Sequence, residues 1–282
     1  MGNTCKEDST RLTAAETQGI QLSTTRMIPT ALSVKDLGPF ARDPEFEKGF
    51  SGLSDVTGVS VGGGEYSGQM KGGLREGFGK FRFADGAFAE GYWKKDRLTG
   101  RARLVHANGD VYEGEWADDS ANGQGVYFGA NGSRYSGGWK NDGQHGRGRE
   151  DWPDGSYYEG EYVAKKKHGR GVSVNASGER YEGEFQDDQF HGKGELLWAN
   201  GQKYIGKWEK GKRNGPCEMY YPDGSVFTGE YRDNKKHGQS KIVTPDGKTY
   251  FSTWEQGERV GPIYTMMPDG TKLPIVEESQ AI

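Results

Sequence analysis

Four histidines are the side chains best suited to hold a metal or move a proton near neutral pH. His145, His168, His191 and His237 each stand immediately before a glycine, 23 residues apart or twice that. A metal draws its ligands to about 2.0–2.2 Å of one centre. If the period is a β-hairpin, equivalent positions lie two strands, or about 9.5 Å, apart. These imidazoles then cannot share an ion and read as turn residues with local hydrogen bonds. No glycine loop that cradles phosphate opens a helix, and no nucleophile elbow is present. Glycine recurs with the period, so a Gly-x-Gly match carries no information. The chain is therefore expected to be no enzyme and to need no cofactor.

Lysine and arginine offer a second chemistry. Lys94, Lys95 and Arg97, then Lys165, Lys166, Lys167 and Arg170, then Lys210, Lys212 and Arg213, then Arg232, Lys235 and Lys236 fall in the polar stretch that divides each period. Set in loops along one edge, they would attract anionic phospholipid headgroups at about 1 kcal/mol per residue. Asp118, Asp119, Asp187 and Asp188 share that edge and oppose the attraction. A third chemistry lies at Met1-Gly2-Asn3-Thr4-Cys5-Lys6. Gly2 is placed for myristoylation and Cys5 for palmitoylation, although Lys6 stands where Ser or Thr is usual. One acyl chain anchors marginally and two anchor stably. Residues 1–60 are otherwise Ser/Thr-rich and mixed in charge, which predicts a disordered, flexible tether with a short docking element around Phe40 to Phe50.

The elements that position these groups follow from the period. Gly86, Gly109, Gly132, Gly155, Gly178, Gly201, Gly224, Gly247 and Gly270 are evenly spaced by 23 residues, each after Asp or Asn except at Ser177. Pro-Asp-Gly and Asn-Gly are tight-turn chemistry, because Asp and Asn tolerate the left-handed region and Gly supplies positive φ. A second series in the same phase runs Tyr66, Ala89, Tyr112, Tyr135, Tyr158, Tyr181, Tyr204, Phe227, Tyr250. Gly follows two residues on (Gly114, Gly160, Gly206) and a large ring two further on (Trp116, Tyr162, Trp208). A third series, Gly77 to Gly261, opens the returning strand. Three series in one phase over nine cycles define a repeat.

These residues resemble the MORN family (membrane occupation and recognition nexus), whose motif reads Tyr-x-Gly-x-Trp, a short polar loop, His-Gly-x-Gly, then Asp-Gly. Tyr158-Glu-Gly-Glu-Tyr162, His168-Gly-Arg-Gly171 and Asn175 to Gly178 carry the likeness, which extends from residue 66 to about 272. Departures lie at the ends. Ala89 and Ala102 replace Tyr and Gly in the second repeat, Cys217 replaces the second Gly of the seventh, and Ser240 and Ser252 mark the last two. Degenerate terminal repeats are how arrays are capped. The resemblance implies a cytoskeletal or cortical setting, a disputed phosphoinositide affinity, and dimerisation through terminal repeats.

The expected fold is all-β: an elongated, single-sheet antiparallel meander of about nine 23-residue hairpins. Residues 1–60 form the tether, 61–272 the array and 273–282 a C-terminal cap. Side chains alternate along a strand, so Tyr112, Gly114 and Trp116 share one face while Glu113 and Glu115 share the other. Glycine in a strand calls for something packed over it, and a neighbouring ring is the obvious occupant. Eighteen strands at about 4.8 Å would make a right-twisted rod roughly 85 Å long. Its aromatic face, lined by Tyr112, Trp116, Tyr135, Trp139, Tyr158, Tyr181, Tyr204 and Trp208, is expected to bind a protein partner, since a long exposed apolar stripe marks an interaction site. The alternative is that most rings lie over glycines and satisfy one another, leaving a groove for a peptide or a second copy of the rod. At the far end Tyr264, Met266 and Met267 precede Pro274, Glu277 and Glu278, which fits either an edge cap or a homodimer joint.

Composition agrees. The 282 residues include 47 Gly, 15 Tyr, 12 Phe and 7 Trp, a Gly-punctuated aromatic chain rather than an aliphatic one. A net charge of −4 gives no basic field for nucleic acid. Two cysteines provide no disulfide framework, and no apolar run reaches the roughly 20 residues that span a bilayer. The leading reading is a scaffold or adaptor tethered to the cytoplasmic face of a membrane, organising cortical or cytoskeletal protein partners. The alternatives are a phosphoinositide sensor working through Lys165, Lys166, Lys167, Arg170, Lys210, Lys212, Arg213, Lys235 and Lys236, or a soluble axonemal or motor adaptor gripping a peptide on the aromatic face.

Overall fold

A computed structural model describes residues 38–267 and 271–275. Among these, twenty strands from Ser54–Val61 to Lys272–Pro274 form a single sheet. Each strand pairs antiparallel with the next in sequence, so the topology is an uninterrupted meander.

Each 23-residue unit contains a lead strand, such as Tyr157–Val163 or Arg180–Gln186, and a longer return strand, such as Lys166–Val174 or Gln189–Leu197. The polar loop expected between them is only two residues long. Asp187 and Asp188 have φ of 50° and 68° and Ala164 and Lys165 of 51° and 70°, the double left-handed step of a type I′ hairpin turn. Those turns are stitched to the preceding unit. Asp188 N donates to the Lys167 carbonyl at 3.1 Å, while Asp188 Oδ1 accepts from Lys167 N at 2.8 Å. Asp96, Asp119, Asp142 and Asn234 do the same. Between units, the Asp-Gly and Asn-Gly signals make the predicted turn: Gly201 N donates to the Trp198 carbonyl at 2.9 Å, with Gly201 at φ 84°.

The return strand is bulged at its first glycine. Gly160 pairs with Gly171 but Glu161 pairs with His168, which leaves Gly169 and Arg170 extra. The Glu of the lead strand closes the gap, since Glu161 Oε1 accepts from Arg170 N at 3.2 Å and Glu184 Oε1 from Lys193 N at 3.0 Å. The acidic residue of Tyr-x-Gly-Glu therefore serves local backbone satisfaction at Glu161 and Glu184.

The core is one layer of rings laid on glycines. A Cβ built on Gly148, Gly171 or Gly194 would lie under 3.0 Å from the rings of Tyr135, Tyr158 and Tyr181. Each phenol donates to the carbonyl three residues on, as Tyr158 does to Glu161 at 3.0 Å and Tyr204 to Lys207 at 2.9 Å. The indole N–H of each lead-strand Trp reaches back to the preceding return strand, Trp116 to Ala102 O at 3.0 Å and Trp139 to Gly125 O at 3.2 Å. With their polar atoms paired, the rings stack edge to face in a ladder. Tyr158 meets Tyr162 at 5.2 Å and Phe185 of the next unit at 5.0 Å; Tyr181 meets Phe185 at 5.1 Å and Trp208 at 5.5 Å. Such perpendicular pairs contribute about 0.5–1.5 kcal/mol each beyond area burial. Two buried clusters result, Tyr66 to Ala121 and Tyr135 to Tyr231, bridged by the partly buried Tyr127 and Trp139.

The array is longer at both ends than the repeats alone. Strand Ser54–Val61 pairs with Gly64–Lys71 and begins inside the segment expected to be a tether, crossing the boundary expected at 60/61. Strand Lys272–Pro274 straddles the boundary expected at 272/273. Ahead of the first strand, residues 38–53 form a strap on the charged face of the sheet. Its one helical turn, Pro44–Glu47, is capped by Asp43 Oδ1 and opened by Pro44. Phe40 stacks on Phe78 at 6.1 Å, and Phe46 and Phe50 cover Tyr92 at 4.8 and 6.3 Å. Tyr92 Oη accepts from Asp43 N at 2.5 Å and donates to Glu47 Oε1 at 2.9 Å. The docking element expected around Phe40 to Phe50 is thus built on two residues the sequence reading passed over. Phe78 and Tyr92 occupy positions that in later units carry charge, such as the facing pairs Arg147/Glu161 and Arg170/Glu184.

Candidate interaction face

The rings expected to line a contact surface are core instead. Tyr112, Trp116, Tyr135, Tyr158, Tyr181, Tyr204 and Trp208 are all buried, and Trp139 partly so. Nothing in the described residues forms a second layer over them except side chains of the sheet itself. Those side chains form a further period-23 series at the start of each return strand: Arg75, Leu98, Ala121, Gln144, Lys167, Phe190, Arg213, Lys236 and Arg259. Pairing places them on the aromatic face, with Lys167 opposite Tyr162, Phe190 opposite Phe185 and Lys236 opposite Tyr231.

They lie over the rings. Lys167 Nζ sits 4.9 Å from both the Trp152 and Tyr158 centroids. Phe190 stacks on Tyr181 at 3.7 Å with the planes 6° apart. Arg213 Cζ is 4.4 Å from Tyr231, 5.8 Å from Tyr204 and 5.9 Å from Trp198. Lys236 Nζ is 4.4 Å from Phe227 and 4.6 Å from Trp254. Cation over ring is attractive and stronger where water is excluded. Burial pushes the Lys167 and Lys236 ammonium groups down from the usual lysine range. Nearby, burial raises Glu150, although its carboxylate accepts from Tyr162 Oη at 3.0 Å.

The nine cations expected to form a headgroup site along one loop edge are therefore divided. Lys167, Arg213 and Lys236 are on the aromatic face. Lys165 and Lys210 occupy the two-residue turns. Lys166, Lys212 and Lys235 begin return strands on the charged face, where Lys166 faces Asp187 at 3.6 Å and Lys212 faces Asp233 at 3.0 Å. Arg170 lies in a bulge on that same face. The cause is the tightness of the I′ turn, which draws residues flanking it into the strands. Parity within the 23-residue period was the signal that could have separated them.

Four units carry a histidine at the bulge, with His168 opposite Glu161 and His191 opposite Glu184. The buried Nδ1 of His237 has no hydrogen-bond partner. No group of three or more metal-binding side chains occurs among the described residues. Gly2 and Cys5 lie outside the described residues, as do Glu277 and Glu278. Among the described residues no helix is long and apolar enough to cross a membrane.

A family model described as MORN repeat matches eight consecutive segments: 66–88, 90–111, 112–134, 135–157, 158–180, 181–203, 204–226 and 227–249. The hairpin of strands Thr249–Glu255 and Glu258–Met266 continues the geometry beyond the match. No curated protein matches the chain. Among solved structures, the sheet is similar to the SAS-4 TCP domain of Drosophila melanogaster in complex with a proline-rich motif of Ana2. That likeness is at 13% identity over 63% of this chain and 90% of that one, with a TM-score of 0.36. The TCP10 domain of Danio rerio CPAP in complex with a STIL peptide is similar at 17% identity over 67% of this chain and 94% of that one, with a TM-score of 0.33.

Proposed function

This chain belongs to the MORN repeat family, and from that premise we propose a non-enzymatic scaffold, tethered by its tail to the cytoplasmic face of a membrane and docking protein partners on its aromatic face. The observation that carries the docking half is the outer layer of partly exposed rings and cations, Trp152, Lys167, Trp198 and Arg213, which no second sheet or helix of the described residues covers. Rings presented beside cations are the composition of binding hot spots. The opposite face supports the assignment by contrast. It is occupied by cross-strand charge pairs such as Lys80–Glu90 and Arg149–Glu159 and, at one end, by the strap.

The tether half rests on Gly2 directly after Met1 with Cys5 nearby, two acylation positions that together would anchor stably. Family membership favours cortical or cytoskeletal partners. Exposed Met266, Met267 and Leu273 at the C-terminal edge support a homotypic joint there.

The test is the distribution of fluorescently tagged full-length protein in its own cells, compared with Gly2→Ala, Cys5→Ser and the double charge reversal Arg213→Glu/Lys236→Glu. The reading expects wild type at a membrane, both acylation variants diffuse, and the charge reversal still on the membrane but no longer confined with its partners. Four indistinguishable distributions would remove both halves.

A further inference from the structure

The outer row on the C-terminal half, Lys167, Phe190, Arg213 and Lys236, has a pitch and a charge that specify its occupant. Resting on the docking reading above, we propose that this row binds a polyproline II segment bearing acidic side chains at every third residue, laid across the strands. An apolar residue of that segment would sit opposite Phe190.

The pitch comes from the sheet. Successive members of the row are two strands apart, about 9.6 Å. A polyproline II helix has three residues per turn and rises about 3.1 Å per residue, so every third side chain points the same way at about 9.3 Å. Over the three steps from Lys167 to Lys236 the mismatch stays near 1 Å. A β-strand ligand turns its third residue to the opposite side. An α-helix returns to one face after seven residues, about 10.5 Å, and drifts roughly threefold further over the same span.

The charge comes from the sequence on this face. Among the described residues from Tyr181 onward, alternation places no Asp or Glu at a strand position facing the rings, whereas at the Lys167 end Glu150 does face them. Acids in the flanking turns are engaged: Asp188 with Lys167 N, Asp223 with Ser225 N, Asp233 with Lys212 and Asp246 with Lys248. Among the described residues, Lys167, Arg213 and Lys236 make no salt bridge and instead lie over rings. Arg213 and Lys236 therefore await anions, while Glu150 and Asp188 offset part of the Lys167 charge. The half-buried Trp152 and Trp198 beside them offer flat surfaces for proline rings, the way aromatic grooves take such helices. A membrane surface fits less well, because these cations lie down against the sheet over rings rather than standing out from it.

The probe is a labelled decapeptide, Glu-Pro-Pro-Leu-Pro-Pro-Glu-Pro-Pro-Glu, titrated with full-length protein by fluorescence anisotropy. The proposal expects saturable binding that weakens as salt rises. Arg213→Gln and Lys236→Gln should each weaken it about fivefold, the scale of one exposed ion pair. Lys241→Gln on the opposite face should leave it unchanged. A permuted peptide with its glutamates contiguous should bind at least as weakly as the single variants. Far-UV circular dichroism confirms that each variant is folded, and the two substitutions lie in different repeats so that one fold defect cannot mimic both results. Absence of binding, or binding untouched by both substitutions, overturns the proposal. If the permuted peptide binds equally well and Arg213→Gln weakens it, the docking face stands and the spacing falls. If only anionic phosphatidylserine vesicles bind, and the substitutions abolish that, the face reads lipid and both this proposal and the protein-docking reading fail.

Discussion

Trp139 joins the two buried clusters, so removing it should divide the array. Its ring meets Tyr112 at 4.9 Å and 82° and Tyr135 at 5.2 Å and 89°, one partner in each cluster. Its indole N–H also donates to Gly125 O at 3.2 Å. Two perpendicular ring pairs amount to about 1–3 kcal/mol, and a large aromatic changed to Ala typically costs 3–5 kcal/mol. Because the ring is only partly buried, the lower bound applies, about 3 kcal/mol for Trp139→Ala. In a repeat sheet stability is a sum of units and nearest-neighbour interfaces, so that loss falls on a single interface, where among the described residues only Tyr127 also touches both clusters. Urea denaturation followed by circular dichroism should show one transition for wild type and two for Trp139→Ala. Amide exchange should assign them, with Tyr92 and Tyr204 protected to different extents. Trp254→Ala, near the end of the array, should fray only the last hairpins. An unchanged single transition in Trp139→Ala, or the same split in Trp254→Ala, would refute the reasoning.

Three other outcomes follow from the same geometry. Phe40→Ala removes a buried ring stacked on Phe78 and should release the strap at a local cost of about 3 kcal/mol; limited proteolysis between residues 38 and 53 should accelerate while the array's midpoint holds. Tyr135 and Tyr231 are pushed by burial from 10.0 up to about 12. The folded state thus holds those protons more tightly than the unfolded chain, so their contribution is complete below pH 10 and is lost as pH rises toward 12. Phenolate absorbance should accordingly appear together with loss of the sheet. Burial also pushes the Cys217 thiol up to about 11, so in a Cys5→Ser background it should resist a thiol reagent until denaturant is added.

The period of 23, the meander and the Tyr-over-Gly packing were legible because turn chemistry and side-chain alternation are local rules repeated nine times. What escaped was set by tight geometry or by departures from the repeat. The length of the turn at Asp187-Asp188 could not be read from polarity alone, and with it went the placement of Lys167, Arg213 and Lys236. A ring buried by its neighbours and a ring offered to a partner have the same sequence signature, so for Tyr158 and Tyr181 both readings stood until their contacts were seen. Phe78 and Tyr92 departed from the repeat on the face where charge is the rule. They pointed to the strap, whose aromatic residues are separated from them by tens of positions in the chain.

Covalent surface labelling of the full-length protein, free and in the assembly recovered from its own cells, tests the docking face most directly. The account predicts that Trp152, Trp198 and Lys236 are modified in the free chain and protected in the assembly, while Arg147 and Lys241 on the charged face label equally in both. Protection confined to Arg147 and Lys241, with Trp198 and Lys236 labelled throughout, would contradict it.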